Sequence, residues 1–307
     1  MFKLSAVVCA TDLSEGSNKA LPLAAKMAAR HGAKLIVAHI IDLPAVTPYG
    51  ETMIDPQELR DRVEQSARAQ VTDILTRCET VEWELRLAIG YPAKEILQLV
   101  TDSRADLMVA ATHTRSGLER LLLGSVSRKL MHSLSVPFLI VPGDIPQEQL
   151  ERNIDSVLIA CDFSPGSAGA VRWGLDFAQA FGARLTLATV IEPSQLAHIL
   201  KLDPQKERRL AADLQDELRR KLEATLPESQ REHPFESVIL AGHPHEELNK
   251  YAILNHIDLI VMGVHGRGFF ENILVGSTTD RLIRLGQFPV MAVRTSFPEQ
   301  ASGPCQP

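Results

Sequence analysis

The six residues Gly263-Val264-His265-Gly266-Arg267-Gly268 contain three glycines, and nine residues separate Gly266 from the run Gly276-Ser277-Thr278-Thr279. Glycines at 263, 266 and 268 let main-chain N–H groups approach an anion with no Cβ in the way. A helix that opens at Gly276-Ser277 adds free N–H groups and its positive dipole end, while Ser277, Thr278 and Thr279 add hydroxyl donors. The chemistry this points to is a phosphate cradle. The plainer alternative is a tight turn followed by an ordinary serine cap. The cradle reading is favoured because the loop follows a strand-like run, Asp258-Leu-Ile-Val-Met262, and a second Gly-Ser stands at a helix start.

Other chemistries lack their residues. No G-x-x-x-x-G-K-[ST] occurs, so there is no P-loop lysine for the β- and γ-phosphates. Gly266-x-Gly268 is followed by Glu271 where a dinucleotide fingerprint wants glycine or alanine. No G-x-S-x-G elbow is present. His113 and His265 occupy one repeat column with no acidic or nucleophilic neighbour in sequence, and the pair His243 and His245 around Pro244 does not make a metal site. The four cysteines (Cys9, Cys78, Cys161, Cys305) show no zinc-ligand spacing, and Cys9 and Cys161 fall at buried strands as small hydrophobes. No catalytic residue and no protein-held metal are expected.

The elements that must position the cradle come from an internal repeat. Ala-Thr-Asp-Leu-Ser-Glu-Gly-Ser at 10–17 returns as Ala-Cys-Asp-Phe-Ser-Pro-Gly-Ser at 160–167, an offset of 162 − 12 = 150. Farther on the offset is 152: Gly90 and Pro92 match Gly242 and Pro244, Asp106 matches Asp258, and Gly124-Ser125 match Gly276-Ser277. Short apolar runs such as Ala6–Ala10, Leu35–Ala38, Leu107–Ala110 and Phe138–Val141 suit strands buried on both faces. Helical patterns lie between them, among them the stripe Leu210, Leu214, Leu218 and Leu222. The expected fold is α/β: two tandem doubly wound domains, each with a five-stranded parallel sheet and ligands at the strands' carboxyl ends. The domains run over 1–142 and 153–295, joined by a linker within Val141–Asp155, and residues 296–307 read as a disordered tail.

In the first copy Gly263, Gly266 and Gly268 become Ala111, Thr114 and Ser116, although Gly124-Ser125 survive. Side chains where the backbone should meet phosphate predict a first domain that binds poorly or not at all. The 307 residues, 45% hydrophobic and 23% charged, suit a globular chain of two cores. A net charge of −6 disfavours a nucleic-acid partner, and no apolar run reaches the ~20 residues that span a bilayer. Nor is a signal peptide evident at the N-terminus, so a reducing, cytoplasmic location is expected.

Gly263-x2-Gly266-x9-Gly276-Ser277, Met262-Gly-Val-His-Gly, Gly242-x-Pro244 and Asp162 together resemble the ATP-binding universal stress proteins. The resemblance covers both repeats and is that of a tandem, adenine-nucleotide-binding, Rossmann-like (HUP-type) form. It implies ATP as the ligand, with or without Mg2+. Ala160 and Asp162 would line the ribose and adenine side, and Val190 would contact adenine. Gly263, His265, Gly266, Gly276, Ser277, Thr278 and Thr279 would hold the phosphates, with Met262, Arg267 and Gly268 in the same strand-to-loop site. Asp162 has a second reading as a helix cap. The resemblance further implies a stress-response regulator acting through an unidentified protein partner. The two domains would pair through their last strands as an internal pseudo-dimer, with whole-chain homodimers a further option. The competing readings are a nucleotide-independent scaffold and a slow ATP hydrolase or nucleotidyl-transfer enzyme.

Overall fold

The computed structural model describes residues 3–42, 56–78, 80–112, 124–192, 204–226, 233–264 and 276–294. The first copy runs β1 (Ala6–Ala10), α1 (Glu15–Asn18), α2 (Ala20–His31), β2 (Lys34–Ile41), α3 (Pro56–Leu75), β3 (Trp83–Ile89), α4 (Pro92–Asp102), β4 (Leu107–Ala111), α5 (Ser125–Ser133) and β5 (Phe138–Val141). A short α6 (Gln147–Glu151) leads to the second copy: β6 (Ser156–Ala160), α7 (Pro165–Phe181), β7 (Arg184–Ile191), α8 (Pro204–Ala224), β8 (Phe235–Ala241), α9 (Pro244–Leu254), β9 (Leu259–Gly263), α10 (Ser277–Leu285) and β10 (Val290–Val293).

The ten strands among the described residues form one sheet in the order β3-β2-β1-β4-β5-β10-β9-β6-β7-β8. Pairing is parallel within each copy, and the single antiparallel junction is β5 with β10, where Leu139 faces Met291. Continuous apolar strands require cover on both faces, and helices supply it. On one side β1, β4, β6 and β9 pack against α2 and α7 through Leu21, Met27, Val171 and Phe177. On the other they meet α4, α5, α9 and α10 through Ile96, Leu130, Leu248 and Ile283. Leu222 of the α8 stripe is buried, with Leu214 and Leu218 half-buried above it.

The repeated aspartates turn out to be structural. Asp258 Oδ2 accepts the N–H groups of Asp155 and Ser156 at 2.9 Å each, and Asp106 Oδ2 accepts those of Ser5 and Ala6 at 2.6 and 3.1 Å. Each fixes the start of its copy's first strand, at the amino ends of the strands. The repeated Gly-x-Pro is a turn: Gly90 and Gly242 hold φ of 152° and 144°, a region that disfavours any side chain.

The segment expected as a plain linker is built into the core. Ile145, Leu150 and Ile154 are buried, and α6 packs on α2. Lys26, only 8% exposed, reaches its ammonium into the end of α6 and donates to the carbonyls of Leu150 (3.0 Å), Glu151 (3.3 Å) and Arg152. A cation at a helix C-terminus satisfies carbonyls that the helix cannot. Lys26→Met should therefore cost about 2 kcal/mol, seen as a melting temperature lower by roughly 4 °C. An unchanged melting temperature would show that the α6 contact adds nothing.

Candidate functional site

Within the second copy the strand order reverses between β6 and β9, so their carboxyl ends open a crevice. β6 ends at Ala160, which pairs with Ala188 and is half-buried. Cys161 follows, buried, its N–H donating to the Ala188 carbonyl at 2.8 Å. Asp162 is half-buried, and its Oδ1 accepts the Ser164 N–H at 3.0 Å. The helix cap is Ser164, not Asp162: its Oγ accepts the Ser167 N–H at 3.2 Å. Asp162 instead shapes the turn before it. Phe163 between them sits at φ 62°, a strained conformation for a bulky residue, and Leu13 repeats it at 67° in the first copy. Val190, near the end of β7, is half-buried and lies on the same sheet face as Ala160.

On the other side of the crevice β9 ends at Gly263. Val264 N–H donates to the Val293 carbonyl at 3.0 Å, and Gly276 N–H donates back to the Val264 carbonyl at 2.7 Å. The chain therefore leaves β9 and returns to start α10 at one point. Gly276 is the N-cap of α10 and supplies no side-chain acceptor. The N–H groups of Ser277, Thr278 and Thr279 thus have no partner within the helix, which starts beside the carboxyl end of β9. Ser277 is exposed and Thr278 half-buried, so both residues remain open to solvent.

Two expected ligands are placed differently. Thr279 is 2% exposed and its Oγ1 donates to the Gly263 carbonyl at 2.9 Å, which ties α10 to β9 and leaves the hydroxyl no role towards phosphate. Met262 is buried too, on the α9–α10 side of the sheet, the face that also carries Ala160 and Val190. His265, Gly266, Arg267 and Gly268 lie outside the described residues, as do His113, Thr114, Arg115 and Ser116 of the first copy and the 296–307 tail. Among the described residues no three His, Cys, Asp or Glu side chains gather to hold a metal.

The surroundings of His245 bring together groups distant in sequence. Its side chain is 17% exposed at the start of α9, 6.4 Å between ring centroids from His243 and 3.8 Å from Glu246 Oε1. Burial first, and then the Arg281 charge, hold its pKa below the ordinary 6.5, with His243 adding to the fall and Glu246 opposing it. His31 is lowered in the same way, by burial and then by Arg30. An unfolded chain takes up these protons as pH falls through 6.5, and the folded chain resists until lower pH. Stability is thus full above 6.5 and declines on acidification. His245→Gln should flatten the decline in melting temperature between about pH 7 and 5; an unchanged slope would contradict this.

Both halves of the chain, residues 4–142 and 153–294, match the universal stress protein family. A universal stress protein of Mycolicibacterium smegmatis is 30% identical over 302 residues, covering 94% of this chain and 96% of that one. One from Mycobacterium tuberculosis is 26% identical over 305 residues, covering 96% and 98%. A crystal structure of a universal stress protein from Archaeoglobus fulgidus superposes with a TM-score of 0.70 at 22% identity, covering 96% of this chain and all of that one. The chain belongs to the universal stress protein family and carries two of its domains in tandem.

Proposed function

We propose that the protein is a non-catalytic regulator that binds ATP in the crevice of its second domain and signals occupancy to a protein partner. The observation that carries this is the start of α10: a helix N-terminus without a side-chain cap, hydrogen-bonded to the end of β9 at the point where the strand order reverses. Such an end favours a multiply charged anion. The half-buried Ala160 and Val190 offer an apolar wall for a base, and Asp162 a carboxylate for ribose hydroxyls. A Mg2+ ion would arrive with the phosphates, since this cation is commonly held by substrate phosphates and few carboxylates. We place the protein in the cytoplasm, in keeping with the absence of a disulfide among the described residues. No helix among the described residues is long and apolar enough to cross a membrane.

The test is titration calorimetry of the full chain with ATP, with and without Mg2+, together with chromatography of the nucleotide after prolonged incubation. The reading expects a single site and ATP recovered intact. Steady accumulation of ADP or AMP would replace it with an enzyme.

A further inference from the structure

The glycine at the end of β9 is expected to clear a path for an anion, yet its missing side chain faces elsewhere. A Cβ on Gly263 would lie 2.8 Å from both C and O of Gly166 and 3.1 Å from N of Ser167. Strand and helix meet there backbone to backbone, at the first turn of α7. A Cβ on Gly174, farther along α7, would lie 2.5 Å from Ile159 Cδ1 and 3.3 Å from Val261 Cγ1. Two glycines thus let α7 press onto β6 and β9, and α7 runs unbroken from Pro165 to Phe181.

The first copy is a natural comparison. At the matching positions it carries Ala111 and Ala24, both buried. There the corresponding helix is split into α1 and α2 at Lys19, whose N–H turns back to the Gly16 carbonyl at 3.3 Å. Side chains brace this kinked turn, which still packs on β4. Thr11 Oγ1 is 2.9 Å from Ser17 Oγ and donates to Asn18 Oδ1 at 2.7 Å, and His39 Nδ1 lies 2.9 Å from the Thr11 carbonyl. In the second copy Cys161 and Ala168 occupy the positions of Thr11 and Asn18, and Ala168 has no polar side-chain atom with which to rebuild that network.

We infer that Gly263 is a positioning residue that seats the first turn of α7, and with it the Asp162 loop, against the end of β9. In the first copy the methyls of Ala111 and Ala24 stand at the matching positions and the equivalent turn, though still packed on β4, is kinked at Lys19, a shift that leaves that copy without a nucleotide site. The ligand half of this statement rests on the reading that the second crevice takes ATP. The seating half does not. It identifies one methyl group beneath the cradle, in addition to the cradle's own side chains, as a determinant of which domain binds.

Hydrogen exchange of the full-length chain, with ATP affinity measured in parallel, tests both halves. In Gly263→Ala the amides of Ser167 and Ala168 should exchange about tenfold faster or more, and ATP affinity should fall by about the same factor. The reverse double variant, Ala24→Gly with Ala111→Gly, should slow exchange at Lys19 and Ala20 as the two helices join, and it decides the matter if Gly263→Ala does not fold. Unchanged exchange in the variants that fold would overturn the inference. A wild-type chain that binds no ATP, with the exchange changes still present, would remove the ATP reading and leave the seating role standing.

Discussion

Replacing Gly276 with Val should abolish nucleotide binding to the second domain while leaving the chain folded, and Gly124→Val should change neither. Gly276 holds φ −60° and ψ 134°, and Gly124 φ −56° and ψ 151°, conformations open to any residue. A branched side chain at the N-cap therefore need not strain the backbone, and the Gly276 N–H bond to Val264 survives. What it changes is access to the first N–H groups of α10. Each charge-assisted hydrogen bond lost to phosphate costs roughly 1.5–3 kcal/mol, so affinity should weaken by about 100-fold or more. Calorimetry reads this directly, and equal weakening by Gly124→Val would move the site to the first domain or divide it between the two.

The largest expected effect on stability lies at the junction of the two copies. Leu139 and Met291 oppose each other across the β5–β10 pairing, and both are fully buried. This pairing removes the edge that each five-stranded half would otherwise expose. Leu139→Asp places a charge there with no partner, at a cost of about 3–5 kcal/mol. Differential scanning calorimetry should show the melting temperature lowered by roughly 6–10 °C. A melting temperature within a degree or so of wild type would mean that the junction contributes little to the fold.

Most of the architecture was legible because it is written in local pattern and repeated. Apolar runs such as Leu107–Ala110 read as buried strands, and the matching Asp-x-Ser turns at Asp12 and Asp162 aligned the two copies. The start of α10 followed from Gly276-Ser277 standing one loop after a strand. The misreadings all come from contacts distant in sequence. Pro142, Gly143 and Pro146 signal a break, but nothing local says that Lys26 will reach across to hold the carbonyls of Leu150 to Arg152. Thr279 looks like one more hydroxyl donor until the fold brings the Gly263 carbonyl within 2.9 Å of it. Gly263 itself reads the same from sequence whether it spares room for an anion or for the backbone of Gly166; only the packed structure separates the two. One residue's capping role was open on the page: Ser164-Pro165 carries the usual helix-start signal, and it outcompetes Asp162 for the N-cap.

The most direct test of the central claim is to saturate the purified chain with ATP, remove the excess, denature it and quantify the nucleotide released. One crevice that binds and one that does not predicts about one ATP per chain, lost in Gly276→Val and kept in Gly124→Val. Release of two per chain, or of none, would contradict it.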